Sequence, residues 1–322
     1  MEILISDNFT IERLDDFQDE YVYDFEMDGV DESDHTYFAN DILVHNSIYI
    51  SVAPIMLANK WETSINGKVT PEMYKVCTEL EDYLSVNITA WAKKTLNTID
   101  PRFVFKRETI CDTALFIEKK RYIAHVLDDE GIPTDKYKYI GISVVTTSVP
   151  KKLKPFIKKV AETMLQTKSL NETNKVYTKV YEDYKKLNVE DIATTRGVSD
   201  YETSANQCDG FKTVKGMPVH VKSAYFYNLM LDQLSLSDKY EKIASGDKIK
   251  WYYCMPNRYK TQTMAYKEYL PEDIKVLFPV DTEIMFEKVI GSAVDILYTA
   301  AGWPTSTPNN QQSTNLADLF VE

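Results

Sequence analysis

The sequence predicts an α/β layer followed by a mainly helical unit, with a short all-β segment in front. Three observations lead there. Alternating, strand-like apolar runs gather around one long stretch with helical spacing between about Pro71 and Leu96. From Pro150 the character shifts to Lys-rich amphipathic stretches. Ahead of both, Tyr21-Val-Tyr-Asp-Phe-Glu-Met27 alternates as a strand does, and Ile42-Leu-Val44 is a short apolar run.

In chain order, Ser47-Ile-Tyr-Ile-Ser51 reads as a short strand. The long helix follows, because Met73, Val76, Leu80, Leu84, Ile88 and Trp91 fall at helical spacing with Glu79, Glu81 and Asp82 between them. Phe103–Glu108, Ala114–Ile117 and Tyr122–Leu127 read as strands, and Asp128-Asp-Glu-Gly131 as a turn. Helices are expected at Lys151–Thr167, Asn171–Leu187, Val219–Leu234 and Glu283–Ala300, with a strand at Lys248–Met255. The Pro, Thr, Ser, Asn and Gln of 303–314 read as a flexible linker before the terminal Asn315-Leu-Ala-Asp-Leu-Phe-Val-Glu322.

Composition bounds the function. At 322 residues with 44% hydrophobic content there is room for two or three compact units. No apolar run approaches a membrane span, and Met1-Glu-Ile-Leu-Ile-Ser-Asp7 lacks a basic leader, so no targeting segment is expected. Cys77, Cys111, Cys208 and Cys254 lack metal or redox spacing and read as ordinary thiols of a reducing cytoplasm. Residues 1–46 carry 14 carboxylates against one basic residue, Arg13, for a net charge of −13, so against −12 for the whole chain the remainder nets +1. The acidity belongs to the leading segment, either as a solvated face or as a surface for steering a basic partner. The low pI therefore does not exclude nucleic acid as a ligand of residues 47–322.

His45-Asn46-Ser47 is the most informative tripeptide. Taken alone it is a polar turn. It is also a set of groups able to cut the backbone: the Asn side-chain nitrogen attacks its own carbonyl carbon to close a succinimide, the His assists at that carbonyl, and the Ser hydroxyl accepts an acyl group beforehand. With Tyr21–Met27, His35-Thr-Tyr-Phe38 and Ile42-Leu-Val44 before it, the segment resembles the C-terminal fragment of an intein. The resemblance implies that Asp24 and His35 assist proton transfer, His45 is the penultimate histidine, Asn46 cyclises and Ser47 is the downstream nucleophile. Asp41 departs from the family, which usually has Gly there. The N-terminal nucleophile and Thr-x-x-His segment of an intein do not precede Asp24, and about 46 residues are too few to fold dependably alone. A split intein is implied, part of a HINT fold completed by another chain.

Ser47-Ile-Tyr-Ile-Ser51, the long helix, Lys106-Arg-Glu108 and Lys119-Lys-Arg-Tyr122 follow one another at a spacing that resembles the palm of family B DNA polymerases of the T-even bacteriophage type. Ser47-Ile-Tyr49 is then the tail of the catalytic Asp-Thr-Asp-Ser-Ile-Tyr motif, whose aspartates must lie on the N-terminal polypeptide. Gly216-Met-Pro-Val-His-Val-Lys222 before Tyr227-Asn228 is similar to the Pro-x-His-x-Arg segment of the thumb, with Lys222 in place of Arg, and Leu316-Ala-Asp-Leu-Phe320 resembles the terminal sliding-clamp peptide. The implied organisation is an excised C-intein fragment (1–46), the C-terminal part of the palm (47–145), a thumb (146–302) and a tail with a clamp-binding peptide (303–322).

The resemblance implies a two-metal nucleotidyl transfer with Mg2+ once the halves are joined. Glu108 is the one candidate accessory carboxylate, or else an ion-pair partner of Arg107 or Lys106. Lys119, Lys120, Arg121 and Tyr122 match residues at the primer terminus, with Lys120 and Tyr122 expected on one face of a strand, and His220 and Lys222 match DNA-binding positions. Lys151, Lys152, Lys154, Lys158 and Lys159 are either phosphate partners or a solvated charged face. Leu316, Leu319 and Phe320 form either a clamp anchor or a helical stub on the thumb. Implied partners are the N-terminal polymerase–intein polypeptide, primer–template DNA, dNTPs and a sliding clamp, in a host bacterial cytoplasm. The alternatives from other classes are a non-catalytic, clamp-tethered DNA-binding subunit that is never spliced, and a self-cleaving protein unrelated to replication.

Overall fold

The computed structural model describes the backbone of four short strands within the first 45 residues, and residues 49–95, 106–118, 120–142 and 148–305 together with positions 97, 99 and 146. The leading strands form two antiparallel hairpins, β1 (Ile3–Ser6) with β2 (Phe9–Ile11) and β3 (Thr36–Ala39) with β4 (Ile42–His45), Thr36 lying opposite His45. The chain divides into two compact units, Met1–Ala114 with Ala124–Lys138, and Leu115–Ile123 with Tyr139–Glu322.

In the first unit α1 (Ala53–Ala58) leads to a two-stranded hairpin, β5 (Ser64–Ile65) and β6 (Lys68–Val69), closed by Asn66-Gly67. Both turn residues have positive φ (52° and 72°), as a type I′ turn requires. Thr70 then caps α2 (Pro71–Thr95): its hydroxyl oxygen accepts from the Met73 N–H at 3.3 Å and its proton goes to the Glu62 carbonyl at 2.6 Å. Pro71 at the first helical position loses no hydrogen bond there. Met73 and Val76 of α2 pack with Val52, Met56 and Ile110. The apolar face continues through Leu84 and Ile88, half-buried, to Trp91, which is 48% exposed.

Three strands follow, β7 (Thr109–Glu118), β8 (Arg121–Asp129) and β9 (Ile132–Ile140), in the order β7-β8-β9. The two-residue connections make neighbours antiparallel. β8 is central and nearly continuously buried, whereas β9 is an edge strand, which accommodates Pro133 and its polar residues. Glu130-Gly131 forms its turn, with φ of 53° and 87°. Arg107 reaches Asp128, and the Glu130 N–H takes the Glu108 carbonyl, so Lys106–Glu108 carry no strand and pairing begins at Thr109. Likewise Tyr49–Ser51 join no ladder among the described residues, contrary to the expected strand, which needs a neighbour to exist.

Two polar clusters fasten this unit. Asp128 is 0% exposed, accepts from the Tyr74 hydroxyl at 2.8 Å and the Gly131 N–H at 3.0 Å, and pairs with Arg107. Burial pushes its carboxyl up, but the bonds from Tyr74, Arg107 and Gly131 outweigh this and hold it below the usual range. On the sheet, His125 Nδ1 bonds Asp112 at 2.8 Å and Nε2 bonds Asp135 at 2.7 Å, while its ring stacks on Tyr137 at 4.7 Å. With both nitrogens facing carboxylates, the arrangement favours the imidazolium and raises the His125 pKa above its ordinary value.

In the second unit α3 (Lys154–Thr167) and α4 (Leu170–Tyr184) are joined by Lys168, left-handed at φ 51°, and by Ser169, which accepts from the Glu172 N–H at 3.4 Å. Then come α5 (Val189–Ile192), β10 (Thr194–Gly197), α6 (Tyr201–Ala205), α7 (Val219–Gln233), β11 (Lys248–Tyr253), β12 (Thr263–Tyr266), α8 (Glu272–Leu277), α9 (Thr282–Phe286) and α10 (Ser292–Ala300). β10, β11 and β12 form an antiparallel sheet, with α7 packed on the fully buried β12. The single helix expected over 283–300 is interrupted by a π turn, Glu287–Gly291, and the wider turn keeps Phe286, Ile290, Val294 and Tyr298 all in the core. Phe286 is ringed by Tyr177, Tyr181 and Tyr184 at 5.8, 4.8 and 5.0 Å. Trp303, expected to open the linker, instead packs edge-on against Tyr298 at 5.6 Å.

Two measurements check this account. Arg107→Met should lower unfolding stability by about 3 kcal/mol, because it leaves a buried carboxylate without its cation, as read in a urea titration. His125 titrates higher when folded than the ordinary imidazole, since the bonds to Asp135 and Asp112 together exceed the opposing effect of burial, the largest single cause. Its stabilisation is therefore complete below about pH 6.5 and declines as pH rises through the folded value. Melting curves across that window should lose this decline in His125→Gln.

Candidate nucleic-acid interface

The Lys119–Tyr122 segment lies where β7 turns into β8, in the second unit. Lys119 is outside the described residues. Lys120 occupies the turn in a left-handed conformation, φ 60°, and β8 begins only at Arg121. Strand alternation therefore does not place Lys120 and Tyr122 on one face, as the sequence suggested.

The turn is held by Arg121 and Gly141. Arg121 Nε donates to the Gly141 carbonyl at 3.1 Å, and Nη1 to Glu118 Oε2 at 2.9 Å. Gly141 has φ 62°, and a Cβ there would lie 2.2 Å from the Lys120 carbonyl oxygen and 2.9 Å from Arg121 Cγ. Only glycine fits, on both counts. A lone Gly at the end of a strand-like run was the available signal, and it was missed. Arg121 thus braces the turn, while the exposed Lys120 ammonium has no hydrogen-bond or ion-pair partner among the described residues. Tyr122 packs on Phe116, 5.7 Å between centroids, and Phe116 is itself 50% exposed.

Next to it, Tyr139 donates to Glu162 of α3, and Lys158 Nζ sits 4.9 Å over its ring. Of the other lysines, Lys152 is paired with Asp191 at 2.8 Å, Lys154 is half-buried, and Lys151 and Lys159 are exposed. Glu108 lies in the first unit and pairs with Lys138, a partner different from the Arg107 or Lys106 that its neighbourhood in sequence offered. Among the described residues no three His, Cys, Asp or Glu gather to hold a metal ion.

His220 and Lys222 fall in the first turns of α7, whose start is fixed by Pro218. Burial, and then the Arg196 charge, hold the His220 imidazole below its usual range, so it is neutral at pH 7. Further along α7, Asn228 binds the backbone of Ile243 in both directions: its Nδ2 donates to the carbonyl at 2.7 Å and its Oδ1 accepts from the N–H at 2.8 Å. Its place beside the buried Tyr227 therefore has a structural cause. Asp24, His35, Asn46, Ser47, Leu316, Leu319 and Phe320 lie outside the described residues, and for His45 the backbone alone is described, in β4.

Gly141→Ala should destabilise the folded chain by at least about 1 kcal/mol and disorder the Lys120 turn. A thermal melt that matches the parent would contradict this. No protein-family model matches the chain, and comparison with curated proteins finds no significant match.

Proposed function

We propose that this chain is the C-terminal precursor half of a replicative DNA-directed DNA polymerase, matured by protein trans-splicing at Asn46/Ser47. One observation carries the reading: the self-cleavage tripeptide His45-Asn46-Ser47 ends where the tail of a polymerase catalytic motif, Ser47-Ile-Tyr49, begins. Either motif alone is short. Their abutment at one residue, with Lys119–Tyr122 downstream in order, makes a coincidence of unrelated turns a poor account.

In the splicing step Ser47 Oγ attacks the (thio)ester at the partner polypeptide's N-terminal nucleophile, the acyl group passes to Ser47 as an ester, and the nucleophile leaves as a free thiol or hydroxyl that takes up the serine proton. Asn46 Nδ2 then attacks the Asn46 carbonyl carbon, the Asn46–Ser47 bond breaks, and the freed Ser47 amine takes the acyl group from its own oxygen to form an amide. His45 donates a hydrogen bond to the Asn46 carbonyl oxygen and raises the electrophilicity of its carbon. Residues 1–46 leave with a C-terminal succinimide.

For the polymerase, Mg2+ would supply charge at the primer oxygen and the triphosphate once the halves are joined. The described residues do not fit that role, since no ligand set is assembled and Glu108 faces Lys138. The metal ligands are assigned to the N-terminal polypeptide. The part played by this chain is grip: the Lys120 ammonium, set out on a braced turn, donates to acceptors at the primer terminus, His220 and Lys222 add contacts from α7, and the terminal peptide with Leu316, Leu319 and Phe320 docks on a sliding clamp. Among the described residues no helix is long and apolar enough to cross a membrane, and the bacterial cytoplasm is the proposed setting.

Mixing the chain with its partner should release the 1–46 fragment and yield one longer protein by mass spectrometry. Asn46→Ala should stop the release and Ser47→Ala the ligation. Primer extension should stay at background for this chain alone and appear on ligation, and Lys120→Ala should then weaken primer binding by roughly 1–2 kcal/mol. Intact, unligated chains after mixing, or extension by the isolated chain, would each overturn the proposal.

A further inference from the structure

The loop between β11 and β12 is built with unusual economy. Asn257 Nδ2 donates to the Thr261 and Met255 carbonyls at 2.8 and 3.0 Å, and Oδ1 accepts from the N–H groups of Tyr259 at 3.1 Å and Thr261 at 3.4 Å. One side chain thus closes the whole loop, and Lys260 completes it in a left-handed conformation, φ 57°. Tyr259 is wedged between Phe278, at 5.3 Å, and Phe211, at 4.9 Å. Phe211 follows Gly210 at the tip of a tight turn in which Asp209 and Lys212 exchange backbone hydrogen bonds at 3.0 and 2.9 Å. The aromatic contact therefore fastens a second basic turn to the loop.

The β11–β12 loop itself carries only positive charge. Met255-Pro-Asn-Arg-Tyr-Lys-Thr-Gln262 contains no carboxylate. Arg258, Lys260 and Lys212 are exposed, and none forms an ion pair among the described residues, although Asp209 and Asp281 lie on the adjoining segments. Elsewhere in the unit Lys242, Lys267 and Lys275 each meet a carboxylate. The Arg258 guanidinium lies 4.7 Å over the Tyr259 ring and donates from Nη2 to its hydroxyl at 2.6 Å. Placed over a ring and held at one nitrogen, it keeps its remaining N–H groups for an oxyanion. A loop already ordered loses little entropy on binding.

We infer that this loop and the Phe211 turn form a phosphate-gripping surface for duplex DNA, with Arg258 and Lys260 as the contacting residues and Asn257 and Tyr259 as positioning residues. The inference rests on the polymerase reading and adds a surface that the Lys119–Tyr122 and His220–Lys222 motifs do not include. The contacts are to the backbone, so they carry no sequence preference.

The test is fluorescence anisotropy of the full chain with a labelled primer–template duplex between 50 and 200 mM salt. Each phosphate contact contributes about 0.9 to the slope of log K against log salt, so Arg258→Gln/Lys260→Gln should flatten the slope by about 1.8. Amine labelling read by mass spectrometry should show Lys260 protected on adding duplex, and this needs no variant. If the parent binds, the double variant keeps its slope and Lys260 stays reactive, the surface is wrong and the polymerase reading stands. If the parent shows no duplex binding at any salt, the surface is wrong, and the polymerase reading is decided separately by the ligation and primer-extension assays.

Discussion

The first unit depends on one buried negative charge. Asp128 has no access to water, and a carboxylate in that position is tolerated only when its lone pairs are occupied and its charge is met. Tyr74 supplies a bond from α2, Arg107 a cation from the approach to β7, and Gly131 an N–H from the turn between β8 and β9. Three segments distant in sequence are thus tied at one atom pair. The ladder itself ends where β8 turns at Glu130-Gly131, so β7 starts at Thr109. Hydrophobic burial around Met73, Val76 and Ile110 supplies the bulk of the driving force, but it is non-directional, and the carboxylate fixes how helix and hairpin register.

Much of this was legible in the sequence where periodicity was strong. α2, α3, α4 and α7 follow their apolar spacing to within a few residues, and β7 and β8 follow their apolar runs. β9 was not legible, since an edge strand needs only one apolar face and Pro-Thr-Asp-Lys looks like a loop. The β5–β6 hairpin was legible from Asn66-Gly67 but so short that it was passed over. The π turn in the last helix had no signal, because its cause is tertiary: four apolar residues competing for one core. For the candidate interface, the sequence named the basic residues but not what holds them. Which of Lys120 and Arg121 is the brace was decided by the Glu118 carboxylate and the Gly141 carbonyl, and Asn257 gave no hint of the four backbone groups it binds.

The two basic features of the second unit share a design. At the Lys120 turn and at the Arg258 loop, a residue with positive φ and one heavily bonded side chain (Arg121, Asn257) hold an exposed cation in place. The cation is left unpaired while its neighbours are satisfied.

The core of the second unit carries a further consequence. Tyr177, Tyr184, Tyr227, Tyr252, Tyr266 and Tyr298 are all fully buried, and burial pushes every phenol upward, Tyr227 to about 12 and the others beyond. In the unfolded chain the same phenols ionise near pH 10. Above that value the unfolded chain releases protons that the folded one retains, so stability falls as pH rises. A core assembled from hydroxylated rings instead of aliphatic ones sets a steep alkaline ceiling on the fold, one that a leucine-filled core of the same volume would not have.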